Sequence, residues 1–131
     1  MDLETLLAKQ EIGDVIYRYA RGIDRLDFDL VRSCYHPDAV DDHGAFKGNV
    51  DEFIEMCREF LPRWTATMHF MGNVLIDEIG GTAARAETYA VAYHRREATE
   101  NSEGKDDVFA VSYTHLRAHE TREDRGWRGG G

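Results

Sequence analysis

Four side chains that can hold or move a proton fall at positions that the local sequence pattern directs inward. They are Tyr19, Asp24, His69 and His94. A carboxylate that pairs with one imidazole nitrogen fixes the tautomer and raises the basicity of the other nitrogen. A second imidazole or a phenol can then polarise a carbonyl or protonate a leaving hydroxyl. This set predicts general acid–base chemistry that needs neither a metal nor an organic cofactor.

Each of these residues also has a plain structural explanation. Tyr19 could pack in the core with its hydroxyl bonded to the backbone, and Asp24 could be a solvated carboxylate at a helix end. His69 could be a hydrogen-bonded core histidine, and His94 a surface histidine at a strand end. His43, beside two aspartates in a short polar segment, has the pattern of an exposed loop residue. The pattern alone leaves both explanations open.

Three helices are predicted to position part of this set. The first, roughly residues 4–23, is predicted because apolar residues recur at helical spacing, at Ile12, Val15, Ile16, Tyr19, Ala20 and Ile23. A shorter helix should begin at Asp27 as its N-cap and end before the His36-Pro37 step. Asn49 can cap a third helix, which Pro62 ends.

The second half of the chain has the pattern of strands. From residue 67 to 76 the period is two, and one face is predicted to carry Thr67, His69, Met71, Asn73 and Leu75. A turn at Gly80-Gly81 leads to a long bent strand over 83–96, whose small-residue face ends at His94. A further strand is predicted over 108–113. Helices followed by antiparallel strands indicate an α+β fold.

Four more residues are predicted to contact a substrate. His43 lies on a brief extended segment, 39–43, which precedes a turn at Gly48. The others lie on the third helix and on the inward face of the first long strand. The predicted substrate-binding set is His43, Asn73, Met71 and Phe53.

Composition limits the class of protein. The chain has 131 residues, 42% hydrophobic and 31% charged, which is typical of one globular domain. Its net charge of -9 repels phosphate backbones and anionic lipid headgroups, so neither nucleic acid nor a membrane is an expected partner. With no signal peptide and no apolar span, we expect a cytoplasmic protein. The two cysteines, Cys34 and Cys57, are expected to be reduced and structural.

Several segments together resemble a known family. They are the run from Ile16 to Asp24, then Tyr35-His36-Pro37-Asp38-Ala39, Thr67-Met68-His69-Phe70 with Asn73, and Thr88-Tyr89 through His94. Their order and spacing, over residues 3–97, resemble SnoaL-like proteins of the nuclear transport factor 2-like superfamily. Relatives include scytalone dehydratase, bile acid 7α-dehydratase, ketosteroid isomerase and polyketide cyclases. The resemblance implies a cone-shaped curved antiparallel sheet packed against three helices, an apolar pocket for a small molecule, and a homodimer or homotrimer.

The resemblance also implies roles for particular residues. Asp24 and His94 match the aspartate–histidine pair of scytalone dehydratase, and His69 matches its other catalytic histidine. Tyr19 and Asp24 match the tyrosine and aspartate of the bile acid enzyme, whereas the carbonyl-polarising tyrosine of both enzymes falls near His43. The implied activity is a cofactor-independent dehydratase or isomerase acting on a hydroxylated or carbonyl-containing polyketide- or steroid-like molecule. His69 would be the general base, Tyr19 would orient the substrate, and the Asp24–His94 pair would assist proton transfer.

Two other functional classes stay open. The same fold serves non-catalytic binding or assembly modules, in which the histidines only pack. A cofactorless epoxide hydrolase or polyketide cyclase is the other alternative, and the hydrolase would need Asp41 or Glu87 near Arg85 to activate water.

The C-terminal segment departs from the family pattern. Residues 111–121 resemble a translated sequencing adapter, which predicts a SnoaL-like domain over 1–111, an atypical tail over 112–131, and the absence of the natural protein's last strands. His115 and His119 have a spacing seen in metal-binding helices, but no third ligand is evident, so we predict no metal site.

Overall fold

A computed structural model describes residues 1–80 and 83–118, and the side chains of these residues except 78 and 114–118. Some predictions lie outside the described residues: the second glycine of the Gly80-Gly81 turn, the side chains of the His115–His119 pair, and the tail beyond residue 118.

The helices begin and end where their capping residues predict. The first, α1, is Leu3–Asp24, and α2 is Phe28–Ser33. The third, α3, is Val50–Phe60, and a single 3₁₀ turn at Leu61–Arg63 contains Pro62. All three predicted helices are confirmed. Helix α3 has a full capping box, because Asn49 accepts from the Glu52 amide while the Glu52 carboxylate accepts from the Asn49 amide.

The strands form two antiparallel sheets. The small sheet pairs β1, Val40–Asp42, with β2, Lys47–Asn49. The large sheet has the order β3-β4-β5, with β3 at Ala66–Gly80, β4 at Ala83–Arg96 and β5 at Lys105–Ala118. The third long strand therefore extends beyond the predicted 108–113 at both ends, and the 1–111 domain bound stays a prediction. The predicted α+β fold, a curved sheet with helices packed on it, is confirmed.

A β-bulge in β3 corrects one prediction. Met71 pairs with Ala90 and Val74 pairs with Thr88, so two residues of β3 face the single residue Tyr89. The extra residue reverses the alternation of faces. After the bulge the inward residues are Val74 and Ile76, whereas Asn73 and Leu75 are exposed. The prediction that Asn73 and Leu75 share the inward face with His69 is wrong.

The core lies between the helices and the concave face of the large sheet. That face of β4 is lined by small side chains, and Ala84, Ala86, Ala90 and Ala92 are all buried there. Their small size lets the apolar faces of α1 and α3 approach the sheet, with Phe53 and Ile54 of α3 almost completely buried. Cys34 and Cys57 are both buried, and no disulfide joins them among the described residues.

Candidate functional site

Asp24 and His69 form the most closely connected polar pair of the concave side. Asp24 is the last residue of α1, and its Oδ1 lies 2.7 Å from His69 Nδ1. Its Oδ2 accepts a 2.8 Å hydrogen bond from the backbone amide of His69. Thr67 Oγ1, two residues earlier on β3, donates to Oδ1 at 3.0 Å. The end of the first helix is thus tied directly to the strand that carries the histidine.

The pKa of Asp24 is set by two opposing effects. Burial alone would raise the pKa of this carboxyl, but hydrogen bonds from the His69 ring, the His69 amide and Thr67 hold the pKa below its ordinary value. Asp24 is therefore a carboxylate at neutral pH. A carboxylate facing Nδ1 favours the tautomer with the proton on Nδ1, which leaves the lone pair of His69 on Nε2.

His69 forms a wall between two hollows. On one side is an apolar cavity of about 300 Å³, lined by His69 together with Tyr19, Ile23, His43, Ala45, Phe46, Phe53, Met56, Cys57, Phe60, Leu61 and Tyr113. On the other side is an outer groove that contains Asp24, with Arg21 and Arg25 at its rim. The His69 side chain is only 10% exposed and that of Asp24 21%. The imidazole thus lines the apolar cavity, while its carboxylate partner lies in the outer groove, close to water.

Tyr19 lines the same cavity. Burial raises the pKa of its phenol well above the ordinary value, and the nearby Tyr113 and Asp41 add to that effect. Burial likewise raises the pKa of Tyr113, and it raises the pKa of the Cys57 thiol to about 12. These groups are therefore protonated at neutral pH, and Tyr19 can act in the cavity as a neutral hydrogen-bond donor.

His94 does not pair with Asp24, which corrects the predicted Asp24–His94 pair. Its ring lies edge-on to His69 with 5.7 Å between centroids, and it packs against Trp64 and Phe109 at 5.1 and 5.3 Å. Its Nδ1 is buried without a hydrogen-bond partner among the described residues. The strand pairing accounts for this. Across the two strands His94 is opposite Thr67, whereas the Asp24 carboxylate is hydrogen-bonded to His69 on β3.

The surroundings of His94 keep its ring neutral. Burial lowers the pKa of His94, and the neighbouring His69 lowers that pKa further, against a smaller opposing effect of Asp107 and Asp24. His94 is not among the residues that line the apolar cavity. It lies behind His69, within an aromatic layer that includes Phe60.

The predicted substrate-binding residues fall into three places. Phe53 and His43 line the apolar cavity, where their rings stack with centroids 5.0 Å apart. Met71 lies in the outer groove instead, and Asn73 is exposed because of the bulge. The structure thus brings Tyr19, His43, Phe53 and His69 together at the apolar cavity and places Asp24 and Met71 beside His69 in the outer groove. Asn73 and, by one layer, His94 lie apart from both.

Sequence reasoning named Asp41 only for the epoxide hydrolase alternative and missed its contact with His43. Asp41 lies on β1, is only 1% exposed, and its Oδ1 is 2.5 Å from His43 Nε2. The hydroxyl of Tyr35, also buried, donates to Oδ2 at 2.6 Å. Sequence alone offered little signal, because a three-residue strand is too short to show which of two adjacent aspartates points inward. His43 is consequently not a free loop residue.

Arg85 and Glu87, which the epoxide hydrolase alternative would recruit, form an ion pair with each other at 2.9 Å. They alternate along β4 with the residues of its concave face, so they lie on the opposite face from the cavity. Asp41 therefore has neither of them as a partner inside the chamber.

Comparison with known proteins assigns the chain to a family. The family described as SnoaL-like domain matches residues 4–129. The chain is a member of the SnoaL-like domain family. No curated protein matches its sequence significantly. The predicted family relationship is thus confirmed.

Solved structures show that this SnoaL-like protein shares the nuclear transport factor 2-like fold. A hexachlorocyclohexane dehydrochlorinase, LinA type 2, superposes with a TM-score of 0.80 at 17% identity, over 98% of this chain and 84% of that one. A Novosphingobium aromaticivorans protein provisionally named a scytalone dehydratase gives 0.76 at 16%, over 94% and 78%. A nuclear transport factor 2-like protein of Salmonella enterica gives 0.78 at 21%, over 95% and 87%. At these identities the likeness shows the fold.

The same fold therefore includes proteins named as dehydratases and dehydrochlorinases, which are small-molecule enzymes. Within the described part of the SnoaL-like chain, no helix has the length and apolar character needed to span a bilayer.

Proposed function

We propose that this SnoaL-like protein catalyses a cofactor-independent β-elimination, the loss of water from a hydroxylated, carbonyl-containing apolar small molecule. One observation carries the proposal: an imidazole held by a carboxylate forms part of the wall of a largely apolar cavity. Such a group is a general base with a fixed orientation and a free Nε2 lone pair. The apolar lining favours a polyketide- or steroid-like substrate over a sugar or a nucleotide.

His69 is the base in this mechanism. Nε2 removes the proton on the carbon next to the substrate carbonyl, and the ring becomes an imidazolium. The Asp24 carboxylate stabilises that positive charge through Nδ1, while its bond to the His69 amide keeps the two groups aligned. The double contact fixes the base before the substrate arrives, so little reorganisation is needed during the reaction.

Tyr19 is the group that orients the substrate. Its phenol stays protonated, so it can donate a hydrogen bond to the carbonyl oxygen as negative charge develops there. Phe53 stacks on the Tyr19 ring with centroids 6.4 Å apart and limits its movement. Phe53 also offers the flat apolar surface on which a ring of the substrate can pack.

His94 is proposed as a positioning residue. It lies edge-on to His69 and outside the cavity lining, so it acts on the base and not on the substrate. A neutral ring at this position restrains the His69 imidazole without competing for the Asp24 carboxylate. This assignment differs from the role that the family resemblance implied for it.

A substrate panel tests the proposal. We expect His69→Gln and Asp24→Asn each to reduce kcat by about 10²- to 10⁴-fold on hydroxylated polyketide- and steroid-like ketones that lose water. Asp29→Asn, an exposed carboxylate of α2, is the matched control and should keep full activity. Equal turnover by the wild type and the His69→Gln variant would remove the base from the mechanism. Ligand binding without any turnover would favour the non-catalytic binding module.

We also propose that the protein is a homodimer or homotrimer. The outer face of the large sheet supports this, because a cluster of apolar side chains there is between 44% and 62% exposed: Met68, Phe70, Tyr89, Tyr93 and Val108. Met68, Tyr93 and Val108 are neighbours across the three strands, so the cluster is continuous. An exposed apolar patch of this kind is typical of a protein interface.

A further inference from the structure

One carboxylate oxygen of Asp41 accepts a hydrogen bond and the other accepts none among the described residues. The Tyr35 hydroxyl donates to Oδ2 at 2.6 Å. Oδ1 is fully buried and meets no hydrogen bond of acceptable geometry among the described residues, although His43 Nε2 lies 2.5 Å away. A buried carboxylate oxygen without a donor is costly. Protonation of Nε2 and a small rotation of the His43 ring would supply that donor.

The groups whose pKa is raised by the charge of Asp41 cannot neutralise it. They are the phenols of Tyr19 on α1, Tyr35 after α2 and Tyr113 on β5, and the Cys57 thiol on α3. In each of them burial is the main cause of a raised pKa, and the negative charge of Asp41 raises the pKa further. Among the described residues in contact with Asp41, His43 is the one that can carry a positive charge.

The His43 ring has a defined orientation. It stacks on Phe53 with an interplanar angle of 5°, and Tyr113 meets it edge-on with centroids 6.0 Å apart. Because Nε2 faces Asp41, the nitrogen left for a ligand is Nδ1. His43 and His69 line the same cavity, and the His43 side chain is 28% exposed, so it can exchange protons with water.

We propose that Asp41 and His43 are a second acid–base pair, in which the His43 imidazolium protonates the leaving group while His69 removes the carbon-bound proton. This inference rests on the proposed elimination and names a group for its second half. The two pairs have opposite tasks because their settings differ: His69 has a carboxylate with three hydrogen bonds, whereas His43 faces a carboxylate oxygen that lacks one.

The proton balance is closed. The C–H bond breaks, its proton goes to His69 Nε2, and its electron pair is held in an enolate whose oxygen accepts from the Tyr19 hydroxyl. The pair then forms the new C=C bond as the C–O bond breaks, the electron pair of that bond stays on oxygen, and the oxygen takes the proton from His43 Nδ1 to leave as water. The protein ends with His69 protonated and His43 neutral, one proton each way. Transfer of that proton back through water restores both residues, with no oxidant or other reactant.

Leaving groups of different basicity test the role of His43. The probes are two ketones that differ only at the β-carbon, one with hydroxyl and one with chloride, since chloride leaves without a proton. We expect His43→Gln and Asp41→Asn to slow loss of water by about 10²-fold or more and loss of chloride by less than about 5-fold. His69→Gln should slow both. Asp38→Asn, an exposed carboxylate, is the control. Equal slowing of both probes by His43→Gln would overturn the inference while leaving the elimination itself standing.

A second measurement is independent of turnover. ¹⁵N spectra of the imidazole rings report which nitrogens carry protons. We expect the ¹⁵N signal of His43 Nε2 to show a hydrogen bond to a carboxylate in the wild type and in Tyr35→Phe, and to change in Asp41→Asn. If neither probe reacts with the wild type, the proposed elimination fails, and these spectra decide the pair by themselves. Identical His43 ring signals in the wild type and Asp41→Asn would overturn the inference, and circular dichroism verifies that each variant is folded.

Discussion

Asp24 contacts His69 twice, at the ring nitrogen Nδ1 and at the backbone amide. The two contacts use different carboxylate oxygens, so the side chain is held in one orientation. A substitution that changes the oxygen facing the ring can therefore keep the bond to the backbone amide. Such a substitution separates the electrostatic part of the contact from its geometric part.

We therefore expect Asp24→Asn to keep the fold and lose most of the activity. An amide can still accept from the His69 backbone, but it cannot stabilise an imidazolium and it does not select the tautomer. A fall in kcat of up to about 10⁴-fold follows by analogy with other carboxylate–histidine pairs. Steady-state kinetics and a thermal melt of the variant measure the two effects. A variant with low activity because it is unfolded would contradict the expectation, as would one with normal kcat.

His94 should make the protein less stable in mild acid. Its pKa in the folded state is lowered from the ordinary value of 6.5, chiefly by burial. Below pH 6.5 the unfolded chain therefore binds more protons at this site than the folded chain, and the free energy of unfolding falls as the pH falls toward the lowered pKa. Urea denaturation at several values between pH 8 and pH 5 measures this slope. His94→Gln should have a shallower slope, and an unchanged slope would contradict the account.

Cys57 should be inert in the folded protein. Burial in the cavity wall raises its pKa to about 12, so almost no thiolate is present at pH 8. Iodoacetamide followed by mass spectrometry should label Cys57 only when urea unfolds the chain. Rapid labelling of Cys57 under native conditions would mean that the cavity opens to solvent more freely than the packing indicates.

Gly22 should not tolerate a side chain. A Cβ at this position of α1 would lie 2.7 Å from Val31 Cγ2 and 3.1 Å from backbone atoms of Asp27 and Val31. Val31 is completely buried and has no room to move. We expect Gly22→Ala to lower the free energy of unfolding by about 1–3 kcal/mol.

Gly13→Ala is the matched control for that substitution. It lies on the same helix, and a Cβ there meets nothing within 4 Å. Alanine is favoured over glycine inside a helix, so this variant should gain up to about 1 kcal/mol in the free energy of unfolding. Denaturant melts of both variants measure the contrast, and equal effects of the two substitutions would contradict the close approach of α1 and α2.

The apolar outer face of the sheet predicts self-association. We expect Tyr93→Lys to convert the assembly to monomers, because a charge would be buried at the centre of the exposed cluster. Leu6→Lys, at an exposed apolar residue of α1, should leave the assembly unchanged. Light scattering coupled to gel filtration measures the mass. A wild-type protein that is monomeric at micromolar concentrations would remove this interface.

The helices and most of the strand pattern were predictable because they depend on local chemistry. Asp27 and Asn49 cap helices through bonds to residues three positions away, and such bonds are visible in sequence spacing. The faces of β3 were predictable only as far as Met71, since a bulge depends on the partner strand. Asn73 was misplaced for that reason.

The members of the site were easier to predict than their partners. Tyr19, Asp24 and His69 all lie on the inward faces of their elements, as the sequence pattern indicates. Asp24 pairs with His69 and not with His94 because of the position of the end of α1 over the sheet. No residue spacing in the sequence specifies that position. The contact between Asp41 and His43 was missed because the burial of Asp41 depends on Tyr35 and His43, which meet it only in the folded chain.

The division of the site by the His69 ring separates the path of the ligand from the path of the proton. A hydrogen ion taken up inside the chamber arrives at a ring whose opposite edge touches a carboxylate in the outer groove. From there it can reach bulk water without crossing the apolar interior. In the proposed elimination the proton would therefore leave on the side of His69 that is opposite to the ligand.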